Sequence, residues 1–290
     1  MFFPLAFVLT LCSLAFAAPF KRGNTDTEIL NFALTLEYLE NAFYTEGLKK
    51  YSEASFTEAG FPTFVRGRIS QIAQHEATHI KLLKKALGIA ATKPCTYSFP
   101  DHDPKSFVAL ASALETGGVS AYLGSGPLLS TPELRKTAGS IQSTEARQAS
   151  WIDSSALHGT PWSGSFDVPL DQDQIISIVN GFIVSCPATN PPLSAKPFSP
   201  LKVSAGVPGQ NVTLTFKDDT SEGPFFLALL SGLSTTIVPI DCNNEATLPQ
   251  GLQGVVFALV TTSSHKVSDN TTVAGVVPLN FDFLASASNP

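Results

Sequence analysis

Four stretches with helical apolar spacing each carry one glutamate inside the apolar run: Glu37, Glu76, Glu115 and Glu145. Burying a carboxylate costs several kcal/mol unless it is paired, hydrogen-bonded or bound to a cation. One acid per helix is therefore not what a purely structural bundle selects, and it restricts the chain to folds in which the acids can meet.

The helical grammar runs from Thr25 to about Leu157. In the first segment Ile29, Phe32, Ala33, Leu36, Leu39, Ala42 and Phe43 recur at steps of three and four, with Asn24 or Thr25 available as the cap and Glu28 in the first turn. The second opens at Gly60-Phe61-Pro62, runs through Val65, Ile69, Ile72, Ile80 and Leu83, and stops at Gly88. A third runs from Lys105 toward Leu123. A fourth starts at Thr131-Pro132-Glu133, a cap with proline at the first helical position. The span 173–184 suggests a short fifth. Long amphipathic helices with some long connections predict a four-helix bundle.

Within the helices the spacing repeats. Tyr44 follows Glu37 by seven residues and Tyr122 follows Glu115 by seven, two turns in each case, so each tyrosine shares its glutamate's face. His79 follows Glu76 by three and Gln148 follows Glu145 by three. A helical hairpin thus occurs twice, as in bundles that hold a metal pair between carboxylates and Glu-x-x-His elements. The stretch His75-Glu76-Ala77-Thr78-His79 also matches the zinc-peptidase motif H-E-x-x-H. Its long form needs glycine at position 82 and histidine at 85, where the chain has Leu82 and Lys85. That reading also leaves Glu37, Glu145 and the tyrosine spacing unexplained. Arg68 and Arg147 are alternative partners for Glu76 and Glu145. Glu40, one turn after Glu37, is expected in solvent, and His75 is a weak ligand candidate because it points about 100° away from Glu76.

Five prolines between Pro187 and Pro200 mark a stiff linker. Beyond it the period changes to two: Asn211–Phe216, Phe225–Leu230, Thr235–Ile240, Gly254–Thr261 and Thr272–Val277 are short β-rich runs between turn residues. The expected fold class is a multidomain α and β chain, with a leader over 1–17, a helical bundle over 24–186, a linker over 187–200 and a small antiparallel β-sandwich over 201–285. The last of these is read as a packing or binding module without chemistry of its own.

The formal charge is -6 and the pI about 5.3, with no basic run beyond two lysine pairs, so nucleic acid and anionic membrane are not expected as partners. An apolar run from Phe2 to Phe16 ends in Ala15-Phe16-Ala17-Ala18, a secretory signal pattern with cleavage expected after Ala17. It is short for a bilayer span, and no membrane anchor is expected; Lys21-Arg22 is an alternative trimming point. The expected location is extracellular. Cys12 leaves with the leader, and of Cys95, Cys186 and Cys242 the first two are expected to pair because they flank the helical region. Asn211 and Asn270 head glycosylation sequons.

The stretch Phe32 to Tyr44, with His75–His79, Glu115–Gly124 and Glu145–Gln148, resembles the ferritin-like proteins of the desiccation-related type, which in fungi include secreted stress-response and sexual-development proteins. The resemblance covers roughly residues 25–186, and the tail is similar to the β domain that follows in fungal members. It implies metal ligands at Glu37, Glu76, His79, Glu115 and Glu145, with Gln148 standing where a complete site has histidine, and Tyr44 and Tyr122 beside them. An amide is a poorer ligand than imidazole for iron, so the second metal position is weakened. Two functions stay open. One is a secreted protein binding iron or another divalent metal in oxidative defence or stress. The other is a non-catalytic stress or cell-wall-associated protein whose site is vestigial and metal-free. A zinc peptidase is the third and least economical reading.

Overall fold

The computed structural model describes residues 25–217 and 223–289; the leader and Asn24 lie outside the described residues. Six helices come first: α1 (Asp26–Lys50), α2 (Glu53–Glu58), α3 (Phe64–Leu87), α4 (Pro104–Ser125), α5 (Pro132–Trp151) and α6 (Gln172–Val179). Local chemistry sets their ends. The Thr25 hydroxyl accepts from the Glu28 N–H while the Glu28 carboxylate accepts from the Thr25 N–H, a reciprocal cap that satisfies two orphan donors. Asp103 and Asp171 cap α4 and α6 in the same way. Thr131 caps α5, with Pro132 in its first turn. Gly88, at φ +58°, ends α3. The fifth predicted helix is shorter than expected. After Val179 the chain makes a single 3₁₀ turn and then a strand, because the β-branched Ile183 and Val184 find a partner strand.

Helix α1 packs along α3, and α4 along α5. One end of the bundle is sealed by aromatic rings, with Phe43 and Phe107 at 4.7 Å between centroids and Tyr51 and Phe56 also against Phe107. Gly47 is required there, since any Cβ would enter the Phe107 ring.

The strands are β1 (Thr96–Tyr97), β2 (Ile183–Ser185), β3 (Leu201–Val203), β4 (Asn211–Phe216), β5 (Phe226–Ser231), β6 (Ser234–Pro239), β7 (Glu245–Thr247), β8 (Gly254–Thr261) and β9 (Thr272–Phe281). The last seven make an antiparallel three-stranded sheet, β3-β4-β7, and an antiparallel four-stranded sheet, β6-β5-β8-β9. Val212, Leu214 and Leu248 from one side meet Leu227, Leu229 and Val256 from the other in a sandwich core. Strands β5 and β8 are apolar at nearly every position because the four-stranded sheet is covered on both faces. Its second face (Ala228, Leu230, Phe257, Leu259) belongs to the same apolar cluster as Ile175, Ile176 and Val179 of α6 and the core of the bundle. Asn211 and Asn270 are exposed.

Strands β1 and β2 pair, and beside them Cys95 and Cys186 form a disulfide across 91 residues of sequence. Cys242 is exposed and free. Closing so long a loop restricts the unfolded chain strongly, so Cys95→Ser is expected to cost ~2–4 kcal/mol. A denaturant titration of the variant beside oxidised wild type should show the unfolding free energy falling by that amount and the midpoint shifting down with it; an unchanged midpoint would remove the disulfide from the list of stabilising features.

Candidate metal centre

Halfway along the bundle the four helices turn their acids inward. Glu37 on α1, Glu76 on α3, Glu115 on α4 and Glu145 on α5 are all at 0% exposure. Ligand atoms of Glu37, Glu76, His79 and Glu145 lie within 4.8 Å of one another, a group able to hold a metal ion. Glu115 stands against them, close enough to feel the charges of Glu76 and Glu37.

A fifth acid belongs here. Glu40 is buried at 4% exposure, a correction to its expected place in solvent. It sits one turn after Glu37 on the inward face of α1, and Gly118 of α4 makes its room. A Cβ at Gly118 would stand 2.6 Å from Glu145 Oε2 and 3.0 Å from Glu40 Oε1. The available signal was the pairing of an i,i+3 diacid on α1 with a mid-helix glycine on α4, a residue that otherwise weakens a helix.

The tyrosines cross over. Tyr44 of α1 donates to Glu115 Oε1 of α4 at 2.5 Å, and Tyr122 of α4 donates to Glu37 Oε1 of α1 at 2.5 Å. Each tyrosine therefore orients the glutamate of the other helix rather than the one it follows in sequence. His79 Nδ1 lies 2.8 Å from Glu76 Oε2 and 3.2 Å from Glu37 Oε2. Gln148 donates to Glu76 Oε1 at 3.2 Å and faces His75 Nδ1 at 3.0 Å, which leaves its own carbonyl oxygen buried and unpartnered. His75 is exposed and outside the metal-capable group, so the two histidines of the H-E-x-x-H stretch do not converge on one ion. Arg68 bonds Gln71, and Arg147 bonds Ser143 and Thr144. Neither reaches the acids, and among the described residues His79 is the cation paired with them.

The electrostatics follow from burial. Loss of water pushes the Glu37 carboxyl up to about 7, against hydrogen bonds from His79 and Tyr122 that pull it down. Burial, and then the neighbouring carboxylates, hold Glu40, Glu115 and Glu145 well above the usual carboxylate range. For His79, burial works against the charge, but its bonds to Glu37 and Glu76 outweigh it and raise the imidazole to about 10. The centre is thus one imidazolium facing five acids, too few positive charges for all of them to ionise.

A cation fits this arrangement on the geometry of its oxygen atoms. Both oxygens of Glu145, Oε2 of Glu115 and the Gln148 carbonyl are buried without a hydrogen-bond partner. Buried acceptors are seldom left so unless an ion or water serves them. Carboxylate, amide oxygen and imidazole together suit hard or borderline divalent ions.

Comparison with known proteins agrees with this geometry. Residues 25–157 match the family model of the ferritin-like domain. Over 166 residues the chain is 34% identical to protein rds1 of Schizosaccharomyces pombe, an alignment that covers 57% of this chain and 41% of that relative. The chain thus spans less than half the length of the curated relative it matches. With its acids drawn inward from four separate rods, the helical region over residues 25–157 is similar in sequence to the ferritin-like domain.

Proposed function

We propose that this is a secreted, metal-binding protein of the ferritin-like stress-response type, whose helical core holds a divalent cation, iron foremost, in the service of oxidative defence. The observation that carries the reading is the set of fully buried, unpartnered oxygens on Glu145 and Glu115 beside Glu37, Glu76 and His79. The residues that would hold the ion are Glu37, Glu76, His79 and Glu145, with Glu115 and the Gln148 carbonyl next to them. A bound iron supplies redox chemistry. The chain's own residues do the rest: Tyr44 and Tyr122 fix the direction of two carboxylates, Gly118 admits two more, and the surrounding apolar core excludes water. The apolar leader, the Cys95–Cys186 bond and the exposed sequons Asn211 and Asn270 support an extracellular setting. The similarity to protein rds1 supports placing the chain among fungal stress proteins.

A second reading, a helical scaffold with a vestigial site, is supported by Gln148 and by the ion pairs of His79 with Glu37 and Glu76, which satisfy part of the cluster from within. Titrating chelator-treated protein with Fe²⁺ and analysing bound metal separates the two. Saturable binding of at least about one ion per chain is expected, lost in Glu145→Ala and tightened about tenfold or more in Gln148→His. Absence of saturable binding, or binding that survives Glu145→Ala, decides for the scaffold.

The pH dependence gives an independent check. Glu37 titrates near 4.5 unfolded and about 7 folded, so its stabilisation is present below 4.5 and is lost as pH rises through 7. Glu40, Glu115 and Glu145 act in the same sense. His79 adds stability below 6.5 that disappears as pH rises through about 10. In chelator, the melting temperature should therefore fall by several degrees between about pH 5 and about pH 8. Added metal binds the deprotonated ligands, so the stabilisation it confers should grow over the same interval. Differential scanning fluorimetry measures both; a melting temperature that rises with pH in chelator would contradict the protonated, metal-free centre.

A further inference from the structure

An apolar cavity of about 340 Å³ lies inside the bundle, stacked directly on the acid cluster. On each of the four long helices it begins within about one turn of the polar centre. Its lining takes up Leu36 next to Glu37, Leu82 three residues after His79, Ala121 three after Gly118, and Ile141 four before Glu145. Tyr122 belongs to both: its ring lines the cavity while its hydroxyl bonds Glu37. The most exposed lining residues, Leu82, Lys85 and Ala86, all come from the end of α3, so the cavity meets solvent there.

Two polar groups interrupt the apolar wall. Ser125 is 7% exposed, and its hydroxyl has no hydrogen-bond partner although it lines the cavity. A buried hydroxyl left unpaired costs about 1–3 kcal/mol, which a ligand oxygen would offset. Lys85 stands at the exposed side with no acid bonded to it among the described residues. An apolar chamber of this kind holds no water well and takes apolar ligands readily. At the ~30 Å³ that a water molecule occupies in the liquid, it has room for roughly eleven groups of that size.

We propose that this cavity is a binding site for a single-chain aliphatic carboxylate of about twelve carbons, its tail among Leu36, Leu83, Ala138 and Ile141, its head between the Ser125 hydroxyl and the Lys85 ammonium. The chemistry of the lining selects the class. A wholly apolar ligand would leave Ser125 unpaired, a flat polar one would find no partners along the wall, and a bulky lipid would exceed the volume. The site stands whether or not the acid cluster holds a metal. If both are filled, the aliphatic chain and the ion meet across Tyr122 and Glu37.

Isothermal titration of the purified protein with sodium dodecanoate, and in parallel with dodecan-1-ol, tests the assignment. Saturable binding near one dodecanoate per chain is expected, weakened about tenfold or more by Ala138→Phe, which fills the chamber. Lys85→Glu should weaken dodecanoate by about three- to tenfold and leave dodecanol unchanged. Because Lys85 is exposed, that variant keeps the core intact and decides the matter even if Ala138→Phe does not fold. Ser125→Ala should raise the melting temperature of the ligand-free protein while reducing the shift that dodecanoate produces. No saturable dodecanoate binding, or binding indifferent to both Ala138→Phe and Lys85→Glu, overturns the proposal. Equal affinity for dodecanol and dodecanoate overturns the carboxylate assignment. Repeating the titration on chelator-treated protein and on Glu145→Ala keeps the two questions apart. Dodecanoate binding beside an absence of saturable metal binding sinks only the metal reading, and saturable metal binding beside an absence of dodecanoate binding sinks only this one.

Discussion

Five buried carboxylates stand around one imidazole, and most of the bundle's particular features answer that electrostatic constraint. A carboxylate stripped of water must be neutralised by a proton or a cation, or bonded by donors. His79 serves two of the acids, and Tyr44 and Tyr122 each give a proton donor to one. Gln148 donates to Glu76. What remains, chiefly Glu145 and one oxygen of Glu115, is unserved by the protein. Burial and the neighbouring carboxylates favour the protonated form of those groups, so a binding cation competes with protons for them.

The same constraint explains where small residues fall. Gly118 gives up side chain and helix propensity so that Glu40 and Glu145 can lie against α4. Gly47, on the other side of the centre, does the same for the Phe107 ring. Aromatic seal, polar middle and apolar chamber thus follow one another along the bundle axis. The tyrosine exchange between α1 and α4 ties the two helical hairpins across the middle. It holds α1 and α4 in a single register, since a shift of one turn, about 5.4 Å, would break both bonds.

The β-sheets are less remote from this centre than a Pro-rich connection suggests. The four-stranded sheet lays one face on the three-stranded sheet and the other toward α6, so its apolar cluster is continuous with that of the bundle. The Cys95–Cys186 bond and the β1–β2 pair fasten the long α3–α4 connection to the chain leaving α6.

By itself the sequence determined the elements and their inward acids. Apolar spacing, the Thr25–Glu28 cap, Pro132 and Gly88 are local signals, and a buried glutamate in each helix follows from its position in an apolar run. The strands of Gly254–Thr261 and Asn211–Phe216 were legible for the same reason. Tertiary structure alone decided which groups meet. Glu40 turned inward because Gly118 on another helix leaves a hollow. The tyrosines crossed to the opposite helix, where each hydroxyl meets a carboxylate at 2.5 Å. Three-residue strands such as Leu201–Val203 and Glu245–Thr247 exist only because longer neighbours pair with them. The cavity beside the acids is likewise invisible in any one helix. It is space left between four, and packing between distant segments is a property that periodicity within a segment does not encode.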